Sequence, residues 1–290
     1  MRKATFDTIL KRAGHVVVPG AFDALSARLA AQAGAEIVYM TGFGVAGASF
    51  GVPDIGLVSA GEMVERVRSL AAACAPVPLI ADGDNGHGGP LNAAQLTRAY
   101  EAAGAACIQL EDQVFPKRCG HMEGKEVIAR TDAVAKIRAA ADARSDTAFK
   151  IMARTDARAT HDLDEALHRG DAFLKAGADI LFIEAPRDEK ELETVARTFK
   201  GVPLVANLVE DGKTPMLAPE DLGALGYKII LYPISALLAV TRRLQDVYAA
   251  LLSNDRSGVD ASRVRFGEYN DIVGLPDYLV KARTYSENQN

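Results

Sequence analysis

The strongest constraint on the fold is a repeated unit: a helix-patterned stretch, a glycine, then a short apolar run that closes on polar residues. AAQAGAEIVYMTG, EAAGAACIQLED, FLKAGADILFIEAP and ALGYKIILYP carry it most plainly, with Gly34, Gly104, Gly177 and Gly226 as helix stops that tolerate positive φ. Between them lie HVVVPGAFD, PLIADGDNG, FKIMARTD and PLVANLVE, each again an apolar run ending in Asp, Arg or Asn. The eight runs begin near Val16, Ile37, Leu79, Cys107, Lys150, Ile180, Leu204 and Ile229. Near-continuous apolar runs are strands buried on both faces, and their alternation with helices implies parallel pairing through right-handed crossovers. Eight such units predict an α/β fold of the (β/α)8 TIM barrel type. A doubly wound open sheet is the alternative, but it gathers its polar residues at one switch point, whereas here nearly every strand ends in them.

The 290 residues suit one barrel, and no low-complexity linker divides them. The reading is a single domain over 1–290, with 253–290 as a C-terminal helical extension. A long helix pattern from Ser235 to Leu252 precedes it, followed by a polar break, NDRSGVD. The extension keeps Phe266, Ile272, Val273, Leu275, Tyr278 and Leu279, which need something to pack on. With 49% apolar and 24% charged residues the chain can bury a large core. A net charge of −5 gives no basic footprint for nucleic acid or an anionic membrane and points to a small-molecule partner. Three cysteines, with neither a secretory leader nor a spanning apolar run, point to a reducing cytoplasm. Cys74 and Cys107 sit in apolar segments and read as inert core.

Asp82 and Asp84 close a strand two residues apart, and strand alternation aims both toward the barrel mouth. Such carboxylates repel unless a cation sits between them. Glu111 on the next strand and Asp54 in GVPDIGL complete an all-oxygen set that suits Mg²⁺, or Mn²⁺, better than zinc; His87 and His121 lack the helix-face spacing of a zinc motif. The plainer reading is a cap or turn with Asn85 and Gly86. The segment IQLEDQVFPKRCGH then delivers Lys117, Arg118, Cys119, Gly120 and His121 in one loop. Flanking positive charge favours thiolate over thiol, so Cys119 is a candidate acid, base or nucleophile, set against a merely basic surface loop. Arg154 of ARTD, Glu184 of IEAP and Asn207 of ANLVE end further strands. They offer a guanidinium fork for a carboxylate or phosphate and an amide for a second oxygen, while an ion pair of Arg154 with Glu184 or Asp156 is the structural reading. YMTGFG presents the N–H groups of Thr41, Gly42 and Phe43 as an anion nest, and Tyr39 as either a functional phenol or barrel core.

Taken together, PGAFDALSA, YMTGFG, the PDIG loop, ADGDNGHGG, QLEDQVFPKRCGH, ARTDA, IEAP, ANLVEDGKTP and LYPISAL resemble the isocitrate lyase and phosphoenolpyruvate mutase superfamily over nearly the whole chain. EDQ followed by KRCGH is the specific part. The resemblance implies a TIM barrel, bound Mg²⁺, 2-oxo or 2-hydroxy acid substrates, and homotetramers, built as dimers of dimers, with C-terminal helices swapped between paired subunits. By it, Asp82 and Asp84 match the metal acids, with Asp54 and Glu111 in the water-mediated shell. Thr41, Gly42 and Phe43 match the carboxylate-binding turn, and Arg154, Glu184 and Asn207, with Gly120, the substrate contacts. Cys119 matches the lyase acid and Tyr39 the base, with Lys117, Arg118 and His121 tuning the thiol. The Cys119-Gly120 pair argues against the phosphoenolpyruvate mutase, phosphonopyruvate hydrolase and decarboxylase branches. Leu238 stands where methylisocitrate lyases carry an Arg. The tail FGEYNDIVGLPDY resembles the dimethylmalate lyase, petal death protein and carboxyphosphonoenolpyruvate mutase branch. His87, Thr41 and Phe43 depart from the family pattern and reshape the pocket. The expected activity is Mg²⁺-dependent cleavage of a 2-alkylmalate or 2,3-dimethylmalate type substrate to a 2-oxo acid and a carboxylate. The alternatives are a (methyl)isocitrate lyase, a carboxyphosphonoenolpyruvate mutase or an oxaloacetate-cleaving hydrolase of the same superfamily, and a non-catalytic binding scaffold.

Overall fold

In a computed structural model, which describes residues 5–117, 124–260 and 263–287, the eight apolar runs become eight strands. These are β1 (Val16–Ala21), β2 (Val38–Met40), β3 (Leu79–Asp82), β4 (Cys107–Glu111), β5 (Lys150–Thr155), β6 (Ile180–Ile183), β7 (Val205–Asn207) and β8 (Ile229–Tyr232). All pair in parallel, in the order β6-β5-β4-β3-β2-β1-β8-β7. A parallel bridge between Leu181 and Leu204, with the Leu181 N–H donating to Pro203 O at 3.1 Å, brings β6 to the residues just before β7 and closes the ring. The chain folds as a (β/α)8 barrel.

The helices are α1 (Phe6–Lys11), α2 (Ala24–Gln32), α3 (Gly42–Phe50), α4 (Ala60–Cys74), α5 (Pro90–Ala102), α6 (Arg130–Ala143), α7 (Ala157–Thr160), α8 (Leu163–Lys175), α9 (Glu189–Thr198) and α10 (Pro219–Leu225). They are followed by α11 (Ser235–Leu252), α12 (Arg256–Asp260), α13 (Phe266–Ile272) and α14 (Leu275–Glu287). Local chemistry sets their ends. Asp23 with Ser26, and Ser59 with Glu62, form reciprocal capping boxes that start α2 and α4. Gly34, Gly104, Gly177 and Gly226 all adopt the positive φ expected of helix stops.

The core has two layers. Outward-facing strand residues such as Val38, Leu79, Ile108, Ile151 and Leu181 pack against the helices through Val67, Leu70, Ile137 and Phe173. The interior of the ring holds Val16, Val18, Ile37, Tyr39, Ile80, Cys107, Met152, Ile180, Phe182 and Ile229, and Phe6 and Ile9 of α1 join this layer. Cys74 and Cys107 are free and buried, as their apolar setting implied. Burial pushes the Cys107 thiol pKa well above its ordinary range, which removes it from chemistry.

The chain divides into two compact units, Met1–Leu237 and Leu238–Asn290. The barrel lies in the first. In the second, the stretch read as a polar break carries the short helix α12 instead. Its apolar residues stay largely uncovered in the single chain: Phe266 is 83% exposed and Tyr278 67%. Among the described residues no helix is long and apolar enough to cross a membrane.

Candidate active site

Strand register assembles the mouth. Asp82 lies beside Gln109, and Glu111 beside Arg154, at the C-terminal ends of β3, β4 and β5. Asp84 reaches the same place by a different route from the one its spacing suggested. β3 ends at Asp82, and Asp84 adopts φ 49°, with its N–H donating back to Asp82 Oδ1 at 3.0 Å. The two acids therefore converge through a left-handed turn beyond the strand, not through strand alternation. Lys136 of α6 donates to Asn85 O at 2.9 Å, and the Glu111 N–H donates to Asp84 O at 2.9 Å, which fixes that turn.

Asp82 is held by three donors, one of them the Asp84 N–H. It accepts from the Gly42 N–H at 3.1 Å and from Gln109 Nε2 at 3.1 Å, while Tyr39 OH donates to Gln109 Oε1 at 3.0 Å. A Cβ at position 42 would lie 2.8 Å from Asp82 Oδ2, so glycine is what lets the backbone come this close. Lys117, expected to tune the thiol, places its ammonium against Asp54 and, at 2.6 Å, Asp84 Oδ1. Burial, with Asp84 adding, pushes the Asp82 carboxyl up to about 6. Burial likewise raises Asp54, and raises Glu111 well above its ordinary value.

The facing wall centres on one buried guanidinium. Arg154 donates through Nε and Nη2 to Asp156 at 3.0 and 3.1 Å and stacks 5.1 Å from the Phe182 ring centroid. Glu111 stands 3.4 Å and Glu184 3.8 Å from its nitrogens. Asp156, not Glu184, is thus its primary partner. Asn207 Nδ2 donates to Glu184 Oε2 at 3.3 Å. Of the three N–H groups in the expected anion nest, that of Thr41 already bonds Ala21 O and that of Gly42 bonds Asp82. The nest is accordingly narrower than the motif suggested, with Phe43 left in the first turn of α3.

Tyr39, Thr41, Phe43, Asp54, Asp82, Glu111, Arg154, Glu184 and Asn207 all line one cavity of about 50 Å³, with Val209, Leu231, Pro233 and Ile234 as an apolar wall. Gly42 and Asp84 reach it through the bonds just described. Cys119, Gly120 and His121 lie outside the described residues. Among the described residues no three acids or imidazoles form a ready-made metal cage; the Lys117 ammonium stands between Asp54 and Asp84. The donor set nonetheless fits a hard divalent cation. Seven buried carboxylates (Asp54, Asp82, Asp84, Glu111, Asp112, Asp156, Glu184) stand with five buried cations (Lys117, Lys125, Lys136, Arg154, Arg169), and Glu111 Oε1 is buried without a hydrogen-bond partner.

A family model described as phosphoenolpyruvate phosphomutase matches residues 6–252. The chain belongs to the phosphoenolpyruvate mutase and isocitrate lyase superfamily. It is 48% identical over 261 residues to 2,3-dimethylmalate lyase of Eubacterium barkeri, a match covering 90% of each protein. A crystal structure of a 2,3-dimethylmalate lyase superposes with a TM-score of 0.91 at 32% identity, over 96% of this chain and 93% of that one. Phosphonopyruvate hydrolase in complex with oxalate and Mg²⁺ superposes at 0.80 and 32% identity, over 92% of both.

Sequence reasoning missed three contributors to this superfamily mouth. Gln109 links Tyr39 to Asp82 from the middle of a strand read only as apolar. Asp112 accepts from Thr155 Oγ1 at 2.6 Å, from the Asp156 N–H at 2.9 Å and from Arg169 Nη1 at 3.0 Å, and so braces the strand end that carries Arg154. Lys125 reaches Asp156 from beyond the Cys119 segment. A Gln and two acids closing an otherwise apolar strand were the available signal for the first two; nothing local marked Lys125.

Proposed function

We propose that this chain is a Mg²⁺-dependent carbon-carbon lyase acting on a 2-hydroxy dicarboxylate of the 2,3-dimethylmalate or 2-alkylmalate type. The products are a 2-oxo acid such as pyruvate and a carboxylate. The observation that carries the reading is the pairing, in one cavity, of a carboxylate cluster short of positive charge with a guanidinium held ready for an anion. The similarity to 2,3-dimethylmalate lyase narrows the substrate class, and the wall of Val209, Leu231, Pro233 and Ile234 suits alkyl substituents.

Asp82 and Asp84, with Asp54 and Glu111 through water, would hold the cation. When bound, it supplies Lewis acidity that lowers the pKa of the substrate C2 hydroxyl. Tyr39 takes the hydroxyl proton. In the metal-free protein burial pushes its phenol well above 10, with Asp82 and Glu111 adding to the shift; a cation beside those acids offsets their contribution. The C2–C3 bond then breaks with its electron pair passing to C3, so that C2 becomes a carbonyl and the other fragment an enediolate. Arg154 stabilises that charge from a fixed position, and Glu184 and Asn207 hold the neighbouring oxygens. Cys119 donates its proton to C3, assisted by His121, and Gly120 lets the loop approach.

The same reading includes a homotetramer in which the helices of 253–290 exchange between paired subunits, supported by the uncovered Phe266, Tyr278 and Leu279. A single-domain barrel with that extension and a reducing cytoplasmic setting complete it, the latter supported by the free cysteines Cys74 and Cys107. The test is a substrate panel of malate, 2-methylmalate, 2,3-dimethylmalate, methylisocitrate, isocitrate and oxaloacetate with Mg²⁺, followed by detection of released 2-oxo acid. Release from the alkylated malates is expected; turnover of only methylisocitrate or oxaloacetate, or of none, contradicts the reading.

A further inference from the structure

Beyond β4 the chain makes an excursion and returns on itself. The Val114 N–H donates to Glu126 O and the Ile128 N–H to Asp112 O, each at 2.9 Å, and Gln113 bridges Val127 in antiparallel fashion. Just inside this stem lies Lys125, whose side chain is 2% exposed. Its ammonium donates to Asp156 Oδ1 at 2.6 Å. That same oxygen accepts from Arg154 Nη2, while Oδ2 accepts from Arg154 Nε. One carboxylate therefore serves two buried cations.

The charges decide what this does. Arg154 and Asp156 alone form a closed pair with no net charge, and Glu111 and Glu184 nearby oppose the guanidinium further. Such a group attracts a substrate carboxylate weakly. With Lys125 in place, the formal charge around the guanidinium, counting Asp156, Glu111 and Glu184, rises from −2 to −1, in a water-poor setting where such a change acts strongly. We propose that Lys125 is a positioning residue for the reaction: by neutralising Asp156 it leaves the charge of Arg154 available to the substrate anion and to the enediolate. The inference rests on Arg154 being the anion-binding group in the proposed function. A buried lysine kept for stability alone would make no such difference.

Oxalate titrated calorimetrically into the full-length protein at saturating Mg²⁺ tests it. Lys125→Met should weaken oxalate about tenfold or more and lower kcat/KM in step, with Mg²⁺ affinity unchanged. A general distortion of the mouth would instead move Mg²⁺ affinity as well, and that result overturns the proposal. Lys125→Arg should stay within a few-fold of wild type. Lys125→Met/Asp156→Asn removes both charges and leaves none buried without a partner, so it should recover much of the lost affinity. Oxalate binding by Lys125→Met within about twofold of wild type overturns the role of Lys125, as does a double variant no better than the single one. If Lys125→Met does not fold, the double variant decides: a loss of about tenfold there contradicts the proposal. Absence of oxalate binding to the wild-type protein overturns the anion site itself, and is thereby told apart from failure of Lys125 alone.

Discussion

The two ends of the barrel handle charge in opposite ways. At the N-terminal end, Phe6 and Ile9 of α1 join the apolar interior, and the charged residues pair around them: Lys150 with Asp7 at 3.2 Å, and Arg144 with Asp179 at 2.5 Å. At the C-terminal mouth, carboxylates are buried in excess of cations, so that Asp82 is pushed up to about 6 and Glu111 higher than its ordinary range. Burying like charges is costly, and such an arrangement persists where a ligand relieves it. One end pairs its charges around an apolar plug; the other buries carboxylates in excess, which costs stability.

Changes at the mouth should therefore act on turnover, and changes at the other end on folding. The largest expected effect is metal removal: chelation should cut lyase turnover by about 10³-fold or more, and returned Mg²⁺ should restore it and raise the melting temperature. Full turnover in excess chelator would break the comparison at its strongest point. Next, Cys119→Ser should lower kcat by roughly 10²- to 10⁴-fold while oxalate still binds, as measured by steady-state kinetics beside calorimetry. At the opposite end, Phe6→Ala should cost about 3–5 kcal/mol in denaturant unfolding, yet leave kcat/KM unchanged well below the melting temperature. Lost kcat/KM in that variant would show that the two ends are not separable.

The smallest effect concerns Glu36, whose carboxyl the Arg12 guanidinium, bonded at 2.7 and 2.8 Å, holds below the usual range. A depressed folded pKa contributes stability above the unfolded value of about 4.3 and loses it as pH falls through the folded value. Glu36→Gln should accordingly melt slightly below wild type at pH 7, and the two curves should converge in acid. A difference that persists below about pH 3 would contradict this sign.

The strands were legible because each is a mainly apolar run: six begin at the residue read from sequence, and β2 and β7 begin one residue later, at Val38 and Val205. Gly34, Gly104, Gly177 and Gly226 marked four of the helix stops between them. Asp82, Glu111 and Arg154 were also legible, since polar residues that close apolar barrel strands gather at the C-terminal mouth. What escaped was set by contacts distant in sequence. Asp84 turns inward through a positive φ that no spacing rule encodes. Lys117 was read for its neighbour Cys119, whereas its ammonium belongs to Asp54 and Asp84. Lys125 finds Asp156 31 residues away, at the end of another strand. In the Thr41 to Phe43 turn, strand pairing and Asp82 take two of the three donors that the local motif offers.

The most direct test of carbon-carbon cleavage at this mouth is NMR of the products from ¹³C-labelled 2,3-dimethylmalate, incubated with the protein and Mg²⁺ in D2O. Cleavage with proton donation to C3 predicts pyruvate and propionate in equal amounts, with one deuterium on the propionate carbon that lost its bond to C2. Intact substrate, or fragments without that deuterium, would contradict it.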